Sequence, residues 1–281
     1  MMSTDKVSLV LSSGGARGLA HLGVIESLVN DQIEISEISG SSIGSVIAVF
    51  YASGKLNVFK DWIFKLDKMG VFSYMDFSVS GQGLLKGDKV FNQLKKIIPD
   101  KKIEDLNIPV SVVATNISQN KEEVIRSGSM YDAIRASCSI PGLVKPFVRN
   151  ENEFVDGGVL NPLPINALRS EGKIITVNLN AQSTKKVENI SGKKSGFYSY
   201  FSIFRDFFVN QDVKKSLGFY DITYRSVHLM QNQLANFQIN NHKTFMNINI
   251  PCDSCFPLEF YRAKEMVNLG SKIYYQTKKN Y

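Results

Sequence analysis

The sequence predicts an α/β fold built on a parallel sheet with helices on both faces. Three observations carry this prediction. The apolar run Val7–Leu11 ends at a glycine-rich turn, Ser13-Gly14-Gly15-Ala16-Arg17-Gly18, and a helical pattern follows. A second strand, glycine-containing turn and helix repeat that order within the first 54 residues. Beyond them, short apolar runs alternate with amphipathic stretches.

Taken in order, Val7–Leu11 reads as a buried strand because it is continuously apolar and closed by glycine. Leu22, Ile25, Leu28 and Val29 recur at helical spacing, which predicts a helix from Leu19 to about Val29. Ile33–Ile38 alternates and is ended by Gly40. Ile43 to Ala52 is a second helical run, closed by Gly54. Amphipathic spacing predicts further helices at Val58–Lys68, Asp88–Ile98, Tyr131–Ser137, Ile165–Ser170 and Leu258–Gln276. Strands are expected at Val110–Ala114, Phe154–Val155 and Ile174–Leu179, and near Phe245–Ile250. No internal repeat or low-complexity tract is visible. Residues 1–281 read as a single domain, with Ala181–Asn210 as an inserted, mobile or interfacial segment.

Composition narrows the chemistry. The 281 residues are 43% apolar and 21% charged, which excludes a disordered chain. Three cysteines exclude a disulfide scaffold, and three histidines disfavour a multi-histidine metal site. A formal charge of +7 points to an acidic partner: nucleic acid, anionic lipid or anionic metabolite. The five-residue apolar run near the N-terminus is too short for a signal peptide, and no run approaches a membrane span. The expected location is the cytoplasm, free or peripheral at the inner face of a membrane.

The first glycine turn joins a strand to a helix, so its N–H groups lie at the positive end of the helix dipole. Such a turn holds a phosphate or a developing oxyanion. It is not a dinucleotide fingerprint, because Ser13 stands at the first glycine and no acid follows the second strand. It is not a P-loop, because no Gly-Lys-Ser/Thr follows. The second turn, Gly40-Ser41-Ser42-Ile43-Gly44, matches G-x-S-x-G at a strand-to-helix junction, the setting of a nucleophile elbow. An elbow serine usually has a histidine base, but His21 precedes it inside the first helix, and His228 and His242 lie in unpatterned polar sequence. Asp156, at a strand end before Gly157 and Gly158, is the acid able to replace histidine. Its plainer reading is an Asx-turn. A free aspartate titrates near 3.9 and is a weak base for a hydroxyl.

These elements stand in one order: glycine turn, G-x-S-x-G, then Asp-Gly-Gly. With Leu11–His21, Gly83–Gly87, Ala136–Gly142, Asp156–Pro164 and the Phe260–Gly270 helix, the chain resembles the patatin-like phospholipases. The short bacterial members related to the neuropathy target esterase catalytic domain are the most similar. The resemblance implies a three-layer α/β/α sandwich with a central, mostly parallel sheet. It implies Ser42 as nucleophile, Asp156 as general base, and an oxyanion hole from Gly14, Gly15, Ala16 and Arg17, with Gly18, Gly40, Gly44, Gly157 and Gly158 in support. It implies hydrolysis of acyl esters of phospholipids or lysophospholipids without a metal or other cofactor. The sequence independently lacks H-E-x-x-H and calcium-loop patterns. Ser13 departs from the family's glycine, and would cost roughly 1 kcal/mol if that position required positive φ.

Other features carry two readings each. Arg17 binds an anionic head group or oxyanion, or it pairs with a buried acid to hold the turn. Phe197, Tyr200, Phe201, Phe204, Phe207 and Phe208 form an aromatic stripe among lysine pairs, with a net +4 between Lys185 and Arg225. The stripe suits an interfacial helix on anionic lipid, or else core packing or a self-association face. A homodimer is left open. The Lys86–Lys102 cluster, also net +4, reads as a solvated helix face. Neither cluster carries a nucleic-acid motif. Cys252-Asp253-Ser254-Cys255 lacks a second ligand pair and lies between Pro251 and Pro257, so it reads as a loop with two thiols. Two functions follow: a serine acyl hydrolase, or a lipid-binding or regulatory scaffold with a weakened site.

Overall fold

The computed structural model describes residues 6–78, 83–170, 172–182 and 219–281. The aromatic stripe 197–209 and nearly all of segment 181–210 lie outside these residues. β1 (Lys6–Leu11) runs parallel to β2 (Glu34–Ser41) on one side. β2 pairs in parallel with β3 (Val110–Asn116). β4 (Lys121–Ile125) pairs antiparallel with β3, β5 (Phe147–Arg149) with β6 (Asn152–Asp156), and β6 with β3. On its other side β1 pairs in parallel with β7 (Lys173–Ala181), and β7 with β8 (Met246–Pro251). The sheet is therefore mostly parallel, with antiparallel strands at one end. The charged β4 and three-residue β5 carry too weak a pattern to read from sequence.

The helices lie on both sides. Strand side chains alternate between faces, so Val7, Leu9 and Leu11 enter the main core while Val10 enters a second, smaller one. The main core is closed by α1 (Ala20–Asn30), α2 (Ile43–Ala52), α3 (Leu56–Ile63), α5 (Asp88–Ile97), α6 (Met130–Ser137) and α8 (Ala263–Lys278). Nine of the ten residues of α2 are buried, which explains its apolar character all round. The second face is hydroxyl- and amide-lined: Ser39 Oγ donates to Pro164 O at 2.7 Å, and Thr176 Oγ1 donates to Asn247 at 2.7 Å. It is covered by the Leu163–Leu168 segment and by α7 (Phe219–Asn241), which brings Ala235 and Ile239 to Val10.

Three differences from the sequence reading have physical causes. The helix expected at Val58–Lys68 ends at Ile63, and α4 (Lys68–Ser73) starts anew where the Asp67 carboxylate caps the Gly70 N–H at 2.7 Å. The helix expected at Ile165–Ser170 is only a 3-10 turn, Ile165–Ala167, because Glu37 takes the Arg169 and Ser170 amides. The polar stretch around His228 forms α7, whose Gln231 and Asn232 bond to Gly158 O and Asn180 O on the polar side of the sheet. No described helix is long and apolar enough to cross a membrane.

Candidate active site

The register of β3 brings two distant segments together. β4 occupies one edge of β3 along Val112–Asn116, so β2 and β6 share the other. β2 pairs as far as Val113, and the antiparallel β6 begins at Ala114. The C-terminal ends of β2 and β6 therefore meet head to head, and these ends carry Ser42 and Asp156. Ser42 Oγ donates to Asp156 Oδ2 at 2.5 Å, and both residues are 5% exposed.

Ser42 has φ 54° and ψ −125°, a conformation that costs a non-glycine residue about 1–3 kcal/mol. The surroundings hold it there. Its N–H donates to Ser137 Oγ at 2.8 Å, and Ser137 Oγ donates to Val113 O at 2.6 Å. Ser45 Oγ donates to Ser42 O at 2.6 Å. Gly44 is required by close approach: a Cβ there would lie 2.2 Å from Leu11 O. Gly40 packs against the Gly44 backbone across the bend, and Gly157 against Val113 O and Ser41.

Asp156 makes both bonds proposed for it. Oδ2 holds Ser42, and Oδ1 accepts the Gly158 N–H at 2.8 Å, the Asx-turn of the plainer reading. Its own N–H donates to Ser139 O at 2.9 Å. Burial pushes the carboxyl up to about 6, with the Ser42 and Gly158 bonds acting in the opposite direction. Beside the pair, burial and then the charge of Asp156 push the Cys138 thiol up, so it stays protonated.

The glycine turn abuts the elbow, with Gly18 against the Ile43 side chain. Gly15 has φ +60°, and a Cβ there would lie 2.7 Å from Pro257 O. Among the described residues, the Gly14 and Gly15 amides have no acceptor. The expectation for Ala16 is corrected, because its N–H donates to Pro257 O at 2.8 Å and is not available. Arg17 is 2% exposed and donates from Nη1 to a backbone carbonyl, Cys252 O, at 2.8 Å. Cys252 and Cys255 are free thiols in the loop that takes these two bonds. Ser13 is absent from the positive-φ residues, so no backbone strain attends its replacement of glycine.

The histidines take no part in the pair. His21 is fully buried, donates from Nε2 to Ser12 O at 3.0 Å, and is pushed down to about 4 by desolvation. His228 sits on α7, and His242 follows it, its Nδ1 donating to Gln238 O at 2.8 Å. Sequence reasoning missed Ser137 and Gln231, whose Nε2 donates to Gly158 O at 3.1 Å. The run of small residues Ala136–Ser139 was the available signal for Ser137. Gln231 left none, because α7 itself was not foreseen.

The patatin-like phospholipase family model matches residues 9–169, which contain both glycine turns and Asp156. An uncharacterized NTE family protein of Mycobacterium tuberculosis is 26% identical over 96% of this chain and 91% of its own length. Lysophospholipase NTE1 of Kluyveromyces lactis is 34% identical over 61% of this chain, but over only 12% of its own length. Among solved structures, VipD from Legionella pneumophila shares the fold, with a TM-score of 0.52 at 15% identity over 99% of this chain and 67% of that one. A match across more than half the sequence, spanning glycine turn, elbow and Asp-Gly-Gly on a mostly parallel sheet flanked by helices, shows that the chain belongs to the patatin-like phospholipase family.

Proposed function

We propose that this protein is a serine acyl hydrolase that cleaves the carboxylic esters of lysophospholipids or phospholipids through a Ser42–Asp156 dyad. One observation carries the reading: a strained elbow serine bonded at 2.5 Å to a buried carboxylate whose pKa is raised to about 6. A base works best when its pKa lies near the working pH. Asp156 in its ionised form takes the proton of Ser42, and Ser42 Oγ attacks the acyl carbon. The Gly14 and Gly15 amides receive the tetrahedral oxyanion. One such donor is worth about 2.7–4 kcal/mol. Protonated Asp156 then gives its proton to the leaving glycerol oxygen, leaving Ser42 acylated. Water, deprotonated by Asp156, attacks the acyl carbon, and release of the fatty acid restores both groups. No metal or other cofactor enters these steps.

The substrate class rests on the NTE1 relatives, which are named lysophospholipases. The proposal is tested by fatty-acid release from lysophosphatidylcholine, diacyl phosphatidylcholine and a neutral monoacylglycerol. Release from the lysophospholipid above the other two supports the assignment. Failure to hydrolyse any of the three, by protein that melts cooperatively, favours the scaffold reading.

A further inference from the structure

A cleft of about 460 Å³ lies away from the dyad, between α5, α6 and the approach to β5. That volume suits a small organic ligand. Its rim carries Lys86, Lys95, Arg135 and Lys145 against two acids, Asp88 and Asp132. The sequence alone read the run Lys86–Lys102 as a solvated face, and Lys86 and Lys95 are indeed exposed at the cleft, while Lys145 and Arg135 are half-buried.

Arg135 organises the cleft. Its half-buried guanidinium donates to Ser139 Oγ at 2.6 Å, Lys86 O at 2.6 Å and Lys145 O at 3.1 Å. These bonds clamp the two lysine-bearing segments around the opening, and all three acceptors are neutral. Among the described residues, Lys86, Lys95 and Lys145 make no ion pair. Four cations without contacting carboxylates, of which Arg135 and Lys145 are half-buried, favour an incoming anion. A guanidinium flanked by ammonium groups matches the several oxygens of a phosphate. Phe91, whose ring lies 5.8 Å from the Arg135 guanidinium, and Phe147 supply apolar surface beside the cations. Bare phosphate has nothing to place there, whereas an organic ester has its carbon skeleton.

We propose that this cleft is a second binding site, for the phosphate of an organic phosphate ester. The ester comes from a phospholipid head group or from a soluble metabolite. The site does not depend on the Ser42–Asp156 chemistry. One residue links the two: Ser139, whose Oγ accepts from Arg135, also accepts the Asp156 N–H at its carbonyl.

Calorimetric titration of the full chain with glycerol 3-phosphate, glycerophosphocholine and inorganic phosphate tests the site, since none of these probes carries an acyl ester. The expected result is saturable binding of at least one ester, weakened roughly tenfold or more by Lys86→Ala/Lys145→Ala. Lys96→Ala, on the same helix but outside the cleft, is expected to bind as the wild type does. Stronger binding of glycerophosphocholine identifies a lipid head group, and stronger binding of glycerol 3-phosphate a soluble metabolite. Should the double variant lose its cooperative melt, Lys145→Glu alone provides the same comparison. Absence of saturable ester binding, equal weakening by Lys96→Ala, or inorganic phosphate binding as tightly as either ester would overturn the proposal.

Discussion

At the scale of single residues the proposed mechanism rests on Asp156, and burial gives it properties that composition alone did not reveal. A free aspartate is a weak base for a serine hydroxyl, and here desolvation raises its pKa to about 6. With the ionised form as the proposed base, kcat/KM for a soluble ester should rise with pH up to about 6 and level off above. A profile flat down to pH 4 would contradict the assignment. The effect on stability has the opposite sign. A folded-state pKa above the unfolded value stabilises the native state at low pH, and this contribution is lost as pH rises through about 6. Above that, the buried anion is a net cost, so Asp156→Asn should be more stable than wild type at pH 8 by on the order of 1–3 kcal/mol. The gain should shrink towards pH 4, which melting curves at the two pH values will show. The Ser42–Asp156 contact was legible because each residue stands in a glycine-bearing motif at a strand end. The allocation of the glycine-turn amides was not, because Pro257, the acceptor of the Ala16 N–H, lies more than two hundred residues away.

The elbow depends on elements that do not adjoin it in sequence. The C-terminal end of α6 supplies Ser137 to the Ser42 amide, and the turn after it supplies Ser139 to the Asp156 amide. Ser137→Ala would leave the buried Ser42 N–H without an acceptor, at a cost of about 1–3 kcal/mol. We expect a lower urea midpoint and a kcat reduced roughly tenfold with little change in KM, since a mobile elbow affects the reacting geometry more than binding. Unchanged kcat would show that α2 and the glycine contacts alone hold the serine. Elements facing the main core were readable because their apolar spacing is regular: β1, α1, α2 and α5 lie close to their predicted positions. Elements facing the polar side were not. α7 presents Asn232 to Asn180 O and Gln231 to Gly158 O, so a helix covering amides and hydroxyls shows little apolar periodicity.

For the whole molecule, the sheet positions the dyad and the helical layer holds the sheet. α1 leaves the glycine turn and packs against α8 at glycine contacts. A Cβ on Gly270 would lie 2.0 Å from Ala20 O, and one on Gly23 1.9 Å from Val267 O. Gly270→Ala must push the two helices apart, and should destabilise the protein by about 1–3 kcal/mol in denaturant titration. The fold class was legible in outline because strand, glycine turn and helix recur early. The antiparallel end was not, because β3 accepts three partners and local sequence does not encode which strands share an edge. Intact-protein mass spectrometry after treatment with a fluorophosphonate tests the central claim most directly. The wild-type chain should gain one phosphonyl adduct, and Ser42→Ala none. An adduct forming on Ser42→Ala at the wild-type rate would contradict the account.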